Sequence, residues 1–128
     1  MLTLSVMPAQ YAVVRLDASS VIPTWAIQGA EFFSVTKTDD ELSVVCQEKR
    51  VPHGSKVEKG WRCLKVHGPL DFGLTGILYS LSKPLAEAKI SIFAISTFDT
   101  DYILVKQENL PAAIKILSGF CRIIQGYR

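Results

Sequence analysis

The chain has 128 residues, of which 48% are apolar and 20% are charged, and its formal net charge is +2. This length and composition are typical of a folded protein with one compact domain or two small ones, and they exclude a disordered chain. Lysine and arginine are scattered along the sequence, which argues against a nucleic-acid-binding surface because such surfaces cluster basic side chains.

The sequence contains no pattern for export or membrane insertion. The first seven residues have neither a basic start nor a small-residue cleavage site, and no apolar run reaches the length that spans a bilayer. We therefore predict a cytoplasmic protein that does not contact a membrane.

Residues that carry most enzyme chemistry are few and poorly spaced for it. Cys46, Cys63 and Cys121 form no CxxC or Cys/His metal pattern, so buried, reduced thiols are expected. His53 and His67 have no obvious nucleophile and carboxylate set, and GxSxG is absent. The glycines before residue 77 match neither GxGxxG nor a phosphate loop. The sequence predicts no enzyme, no metal and no cofactor.

The first half of the chain alternates short apolar runs with polar turns. Residues 1–9 are predicted to be a loose leader, and the charged stretch 48–60, which contains Pro52, Gly54 and Gly60, is predicted to be a linker or excursion. Between them the pattern predicts a strand, one helical turn and the two strands of a hairpin, at residues 11–16, 22–27, 32–37 and 42–46.

The second half predicts a strand, a helix, two more strands and a last helix. Apolar residues from Leu74 to Leu85 recur at helical spacing, and Pro84 should end or bend this helix near Ser82. Residues 90–95 are almost all apolar, which is typical of a central strand covered on both faces. The other elements are predicted at 61–67, 102–105 and 109–119. This order indicates an α+β fold with helices packed on one face of a sheet.

The two halves also repeat each other. A shift of sixty residues gives four identities: Asp39 with Asp99, Val45 with Val105, Gln47 with Gln107 and Glu48 with Glu108. Each half contains a strand, a polar turn, a strand and a Gln-Glu exit. We therefore predict two tandem units, a degenerate one at residues 1–58 and a complete one at residues 59–128.

A glycine-containing corner from Gly68 to Gly76 is one candidate binding site. If the following helix begins near Asp71 to Gly73, its free amide groups point into the corner and can hold a carboxylate. The alternative is that Asp71 is only the N-cap of the helix and that the amides contact water.

A polar turn after the apolar strand is the second candidate. Thr97, Thr100 and Asp101 supply hydrogen-bonding groups there, and the carboxylate could pair with an ammonium or guanidinium group. The alternative is a solvated turn. Ser91 is a lone hydroxyl within the apolar run, and it is predicted either to bond to the backbone or to line a pocket.

These motifs resemble the ACT-domain family, and within it the tandem ACT-like subfamily that includes the CASTOR cytosolic arginine sensors. The similarity is densest over residues 61–117 and extends more loosely to residues 32–46. It is carried by three runs: Gly68-Pro69-Leu70-Asp71-Phe72-Gly73, Pro84-Leu85-Ala86 and the run from Ile95 to Val105. The resemblance implies ferredoxin-like βαββαβ modules, antiparallel sheets with helices on one face, which bind amino acids between modules.

The resemblance also implies a set of ligand contacts in this sequence. They lie in the corner, the strand and the turn: Asp71, Phe72, Gly73, Ser91, Ile92, Thr97, Phe98, Thr100 and Asp101. Asp101 falls where the family's carboxylate meets a basic ligand. Asp71 departs from the family's pattern, because the sensors have glycine there, and its added carboxylate could repel the carboxylate of an amino acid.

The number of modules bears on the oligomeric state. The sensors contain four modules and this chain contains two, so the resemblance implies a homodimer with an amino acid between the subunits. A separate, unidentified effector protein would detect the change. The leading hypothesis is an amino-acid-binding regulatory protein, and the alternative is a ligand-independent interaction or dimerisation module whose pocket is filled by side chains.

Overall fold

The computed structural model describes residues 2–67 and 76–125, and the chain divides into two compact units. One unit, called the continuous unit, is Ala9–Trp61. The other, called the discontinuous unit, combines Met1–Pro8 with Arg62–Arg128. The first eight residues are thus grouped with the later part of the chain, whereas the sequence-based boundary grouped them with residues 9–58.

The first strand, β1, spans Leu2–Leu16, so the predicted loose leader is wrong for the residues that the structure describes. Leu4 and Val6 are buried in the core of the discontinuous unit. Residues 2–5 pair in parallel with β7 (Cys121–Ile124). The alternation of apolar and polar residues that makes this strand is visible in the sequence, but its partner lies near the other end of the chain.

The continuous unit confirms the predicted helical turn and hairpin. After β1, its elements are α1 (Thr24–Ile27), β2 (Ser34–Lys37) and β3 (Leu42–Gln47). The strands lie in the order β2-β3-β1, and both neighbouring pairs are antiparallel. One core cluster of this unit contains five buried side chains: Val14, Ala26, Leu42, Val44 and Cys46.

The charged stretch 48–60 is not a linker throughout. Glu48–Arg50 forms a 3-10 turn, and β4 spans Lys56–Val66. The carboxylate of Glu48 accepts a hydrogen bond from the amide of Gly60 at 2.7 Å. A charged side chain that bonds to the backbone in this way stabilises a turn, which the composition of the stretch does not reveal.

The later part of the chain follows the order β-α-β-β-α-β, which confirms the α+β class. The elements after β4 are α2 (Ile77–Glu87), β5 (Ile92–Ser96), β6 (Asp101–Lys106), α3 (Leu110–Leu117) and β7. In the discontinuous unit the strands lie in the order β7-β1-β4-β6-β5. Because β1 and β7 are parallel, this pair departs from the antiparallel arrangement that was expected.

Pro84 lies within helix α2, for which an end or a bend near Ser82 was predicted. The helix continues to Glu87 with Pro84 in its last turn, so an end near Ser82 is wrong. A proline removes one backbone donor, but the buried side chains of Leu81 and Leu85 hold this turn of the helix on the core.

Helix α3 begins where the sequence predicted. Pro111 lies in its first turn, and Asn109 occupies the N-cap position. The Asn109 side chain makes no capping hydrogen bond, because this residue also ends the 3-10 turn Gln107–Asn109 and has helical backbone angles.

Strand β5 lies at the edge of the sheet, so the prediction of a central, doubly covered strand over residues 90–95 is wrong. It pairs with β6 and ends the strand order. Ala94 and Ser96 are exposed, and the other residues of β5 are only partly buried. An uninterrupted apolar run does not distinguish a covered strand from an edge strand whose apolar side chains remain accessible.

The core of the discontinuous unit combines helices α2 and α3 with four strands. Its buried members are Leu4, Val6, Leu64, Val66, Leu81, Leu85, Ile90, Ile103, Val105, Leu110, Ala113, Leu117 and Cys121. The three cysteines of the chain are buried and unpaired, which confirms the expectation of reduced, buried thiols.

The β2–β3 and β5–β6 hairpins are structurally equivalent, with an offset of 59 residues. Lys37 pairs with Leu42 across the first turn, and Ser96 pairs with Asp101 across the second. A 3-10 turn directly follows β3 and also follows β6. The four identities from the sixty-residue shift are therefore one position out of register, although the order of the elements was predicted correctly.

Candidate ligand-binding site

Most of the predicted corner lies outside the described residues. This includes three predicted ligand contacts: Asp71, Phe72 and Gly73. The two flanks of the corner are described. Strand β4 ends at Val66, and α2 begins after Gly76, whose φ of 77° lies in the left-handed region that favours glycine.

The polar turn is held against the end of β4. Thr100 is buried, with 6% of its surface exposed, and its hydroxyl donates a hydrogen bond to the carbonyl oxygen of Val66. Because the chain continues from Val66 into the corner, this bond places the turn beside the first flank of the corner. The structure thus brings the predicted turn close to the start of the other predicted segment.

Thr97 closes the turn. Its amide and its hydroxyl both donate to the carbonyl oxygen of Thr100, at 2.8 Å and 3.0 Å. The amide of Thr100 donates back to the Thr97 hydroxyl at 3.3 Å. Threonine side chains stabilise turns by such local bonds to the backbone. The hydroxyl of Thr97 therefore stabilises the turn, whereas the hydroxyl of Thr100 attaches it to β4.

Asp101, at the start of β6, carries a negative charge next to the turn. Its carboxylate accepts a hydrogen bond from the Ser96 hydroxyl at 2.6 Å, across the β5–β6 pair. Within the described residues no ion pair joins Asp101 to a basic side chain. A partly buried carboxylate with this surrounding favours a cationic group as its next partner.

Ser91 and Ile92 lie at the other end of β5, in an open groove of about 900 Å³. The groove is lined by Tyr79, Ser82, Lys83, Ala86, Glu87, Lys89, Ile90, Ser91 and Ile92. Ser91 is exposed there and lines a pocket, one of the two roles predicted for it. The rise from Ile92 to Ser96 is about 13 Å at the usual strand spacing, so a single chain keeps the groove and the turn apart.

Lys89, which sequence reasoning missed, borders the groove in a conformation that glycine usually adopts. Its φ is 61°. The amides of Lys89 and Ile90 donate to the carbonyl oxygens of Ala86 and Leu85, both at 2.9 Å, which is the bonding pattern of a Schellman motif. A lysine in this left-handed position costs about 1 kcal/mol relative to glycine. The sequence does carry a signal for this position of Lys89, because the apolar helical pattern of α2 ends with no glycine after it.

Two aromatic side chains are strongly exposed near these segments. Phe98, a predicted ligand contact, is 78% exposed in the turn, and Tyr79 is 64% exposed on the wall of the groove. Each presents apolar area to the surroundings at one end of β5.

His67, the last described residue before the corner, is tied to β1. Its amide donates to the carbonyl oxygen of Thr3 at 2.8 Å, and its Nε2 is hydrogen-bonded to the hydroxyl of Ser5, which is fully buried. This pair was missed because residues 1–9 were predicted to be a leader. The bonds hold in place the end of the strand from which the corner begins.

Comparison with known proteins identifies the family of the chain. The family profile of the ACT domain matches residues 56–119, which is half of the chain. The chain belongs to the ACT-domain family. A second profile, which describes only an N-terminal domain, matches residues 9–54.

Two curated relatives of this ACT-domain chain illustrate its relation to longer proteins. Human CASTOR3P is 33% identical over 102 residues, which cover 70% of this chain and 63% of CASTOR3P. The cytosolic arginine sensor for mTORC1 subunit 1 from Bos taurus is 32% identical over 99 residues, which cover 69% of this chain and 30% of the sensor. The ACT-domain chain thus spans less than two thirds of each relative.

A solved structure shares the fold over the whole ACT-domain chain. A protein of Agobacterium tumefaciens, determined by X-ray crystallography, has a TM-score of 0.92 and 39% sequence identity. The similarity covers 99% of this chain and 95% of that protein, so both units of the chain occur together there.

Burial disfavours ionisation of the thiols in the ACT-domain chain. Burial raises the pKa of the Cys63 thiol to about 12 and also raises the pKa of Cys46, where the positive charge of Arg50 acts in the opposite direction. Among the described residues no three histidine, cysteine or acidic side chains gather as a metal site. In the same ranges no helix is both long and apolar enough to cross a membrane.

Proposed function

We propose that this ACT-domain chain binds an amino acid and acts as a regulatory protein, with a site that two copies of the chain complete. The observation that supports this most directly is the hydrogen bond from Thr100 to Val66, which holds the turn beside the start of the corner. The turn brings with it the carboxylate of Asp101, for which the described residues supply no basic partner.

In this proposal the two ends of the ligand have different partners. The amides near residues 71–76 hold its carboxylate, and Asp101 holds its ammonium or its basic side chain. Asp71 decides what the corner accepts. As an N-cap it would use its carboxylate within the helix, whereas a free carboxylate would disfavour the carboxylate of the ligand.

Arginine is the first ligand to test, because one relative is a cytosolic arginine sensor and Asp101 is suited to a guanidinium group. That sensor is more than three times as long as the matched part of this chain, so its ligand and its partners are proposals here. We place the protein in the cytosol, with a separate effector protein and without a catalytic role. The matching hairpins support two ACT-like units, a shortened one within Ala9–Trp61 and a more complete one formed by Met1–Pro8 with Arg62–Arg128.

Regulation requires only that the ligand binds one arrangement of the subunits more tightly than another. A ligand held between two chains meets this condition directly, because its contacts exist in the assembled state. The effector would then distinguish the two arrangements.

Thermal unfolding with each of the twenty amino acids at millimolar concentration tests the proposal. A ligand at one hundred times its dissociation constant adds about 2.7 kcal/mol of stability, which raises Tm by several degrees in a domain of this size. Asp101→Asn should abolish the shift for a basic ligand. Asp39→Asn, in the equivalent turn of the continuous unit, should preserve it.

The absence of a shift with all twenty amino acids would favour the second candidate, a ligand-independent interaction module. One observation supports that alternative: the hydroxyls of Thr97 and Thr100 already make hydrogen bonds within the protein. Its expected signature is a dimer whose dissociation constant is insensitive to every amino acid.

A further inference from the structure

The continuous unit contains a cavity of its own, with a volume of about 470 Å³. This volume is within the range of pockets that hold small molecules. The residues that line the cavity come from β1, from the end of β3 with the following 3-10 turn, and from β4: Ala9, Gln10, Gln47, Glu48, Lys49 and Lys59. All of them belong to Ala9–Trp61, and none belongs to the ligand set predicted from the sequence.

The lining of this cavity is polar except for Ala9. It includes two lysines, two glutamines and one glutamate, Glu48. Lysine ammonium groups bind carboxylates and phosphates as point charges, and the amide groups of glutamine add hydrogen bonds. Within the described residues no ion pair engages Lys49. The cavity therefore offers the groups that a small anion requires.

The carboxylate of Glu48 is held by the backbone. It accepts the hydrogen bond from the amide of Gly60 at 2.7 Å, so this bond uses neither lysine. The equivalent 3-10 turn of the discontinuous unit begins with the neutral Gln107, whose carbonyl oxygen accepts from the guanidinium of Arg62 at 3.2 Å. Each turn is thus bonded to β4, but the continuous unit achieves this without a cationic side chain.

Gly60 gives β4 a special backbone conformation beside the cavity. Its φ is 81°, in the left-handed region, although it lies inside the strand. A glycine of this kind in a strand often marks a bulge, and bulges redirect neighbouring side chains beside binding sites. A Cβ atom at residue 60 would meet nothing within 4 Å, so the backbone conformation and not a lack of space requires glycine. Lys59, which lines the cavity, directly precedes this position.

We infer that this cavity is a second ligand site, which binds a small organic dianion, either a dicarboxylate or a phosphate ester. The lysines supply one positive charge for each negative charge of such a ligand, and the Gly60 amide keeps one oxygen of Glu48 occupied. The inference goes beyond the proposed amino-acid site and does not depend on it, because no residue is shared between the two.

An NMR titration of the full chain with succinate and with glycerol 3-phosphate tests the site. Sodium chloride keeps the ionic strength constant, so that general screening does not imitate binding. The amide signals of Gln10, Lys49 and Gly60 should shift and saturate at millimolar concentration with at least one of the two anions. The anion that saturates them distinguishes a dicarboxylate site from a phosphate site.

Neutral variants of the lysines measure what each charge contributes. Lys49→Gln and Lys59→Gln should each raise the dissociation constant about tenfold, because each removes a charge-assisted contact with the ligand. Ala9→Leu, which adds volume inside the cavity without a change of charge, should also raise it. Lys56→Gln is the matched control, since Lys56 is an exposed lysine of β4 that does not line the cavity, and it should leave the dissociation constant unchanged.

Three outcomes would overturn the inference. They are shifts that do not saturate with either anion, a dissociation constant unaffected by both lysine variants of the cavity, and an equal effect of Lys56→Gln. Asp101→Asn separates this site from the proposed function. It should leave the binding of the anion unchanged, even where it abolishes the thermal shift with a basic amino acid. Saturable binding of an anion to a chain that binds no amino acid would support this site and contradict the proposed function.

Discussion

The two hairpin turns of the chain have the same construction but different surroundings. The Thr38 amide donates to the carbonyl oxygen of Glu41 at 2.9 Å, just as the Thr97 amide donates to that of Thr100 at 2.8 Å. Glu41 is partly exposed, whereas Thr100 is buried and bonded to Val66. One turn is a solvated connection, and the other is attached to a neighbouring strand.

The tips of the turns differ too. Asp39 follows the threonine in the continuous unit, and Phe98 follows it in the discontinuous unit. The first turn is supported by Arg15, which donates to the carbonyl oxygen of Asp40 at 2.9 Å. Equivalent backbones thus present two aspartates at the tip in one unit and a phenylalanine followed by an aspartate in the other. The threonine determines the shape of each turn, and the remaining positions determine what the turn can contact.

Removal of the buried Thr100 hydroxyl should give the largest difference in stability between the two turns. Thr100→Val preserves the shape of the side chain but leaves the carbonyl oxygen of Val66 without its buried donor, so we expect a loss of about 1–3 kcal/mol in the free energy of unfolding. Glu41→Ala, at the equivalent position, should change stability by less than about 0.5 kcal/mol. Urea denaturation measures both values, and equal losses would show that the two turns do not differ in this way.

A smaller change in the free energy of unfolding, of opposite sign, is expected from a substitution at Lys89, which lies just before the second hairpin. Lys89→Gly relieves the left-handed conformation of a lysine and should stabilise the monomer by about 1 kcal/mol. Lys83→Gly, in the interior of α2, should destabilise it by about 1 kcal/mol. Denaturation at concentrations below dimer formation measures both. If Lys89→Gly destabilises the monomer, its side chain has an unrecognised role within one chain.

The smallest expected difference between the units is in the reactivity of their thiols, Cys46 in one unit and Cys63 in the other. Burial raises the pKa of both thiols, but the charge of Arg50 opposes this effect at Cys46. At pH 9 iodoacetamide should modify Cys46 before Cys63, and both more slowly than in urea. Mass spectrometry measures the order, and a reversed order would contradict the role of Arg50.

The same thiols make stability depend on pH. The pKa of Cys63 rises from about 9 in a free thiol to about 12 in the folded chain. Its contribution to stability is therefore complete below pH 9 and is lost as the pH increases towards 12, because the unfolded thiol ionises first. Cys63→Ala should flatten this part of the stability profile.

Local patterns predicted much of the fold. The apolar runs of both hairpins, the helical spacing of Leu81 and Leu85, and Pro111 after Asn109 each act over a few residues, and the structure contains the corresponding elements. The corner and the turn were also chosen on local grounds. The turn and the flank of the corner lie side by side, while Asp71, Phe72 and Gly73 fall outside the described residues.

Sequence alone determined which stretches become strands and helices, because side-chain alternation and helical spacing are properties of neighbouring residues. Tertiary structure decided which strand lies at the edge, because coverage depends on partners far along the chain. It placed residues 2–5 beside β7, left β5 accessible, and tied Thr100 to β4. It also gave Lys89 its place in the groove. These features of the candidate site depend on long-range packing, which no local pattern records.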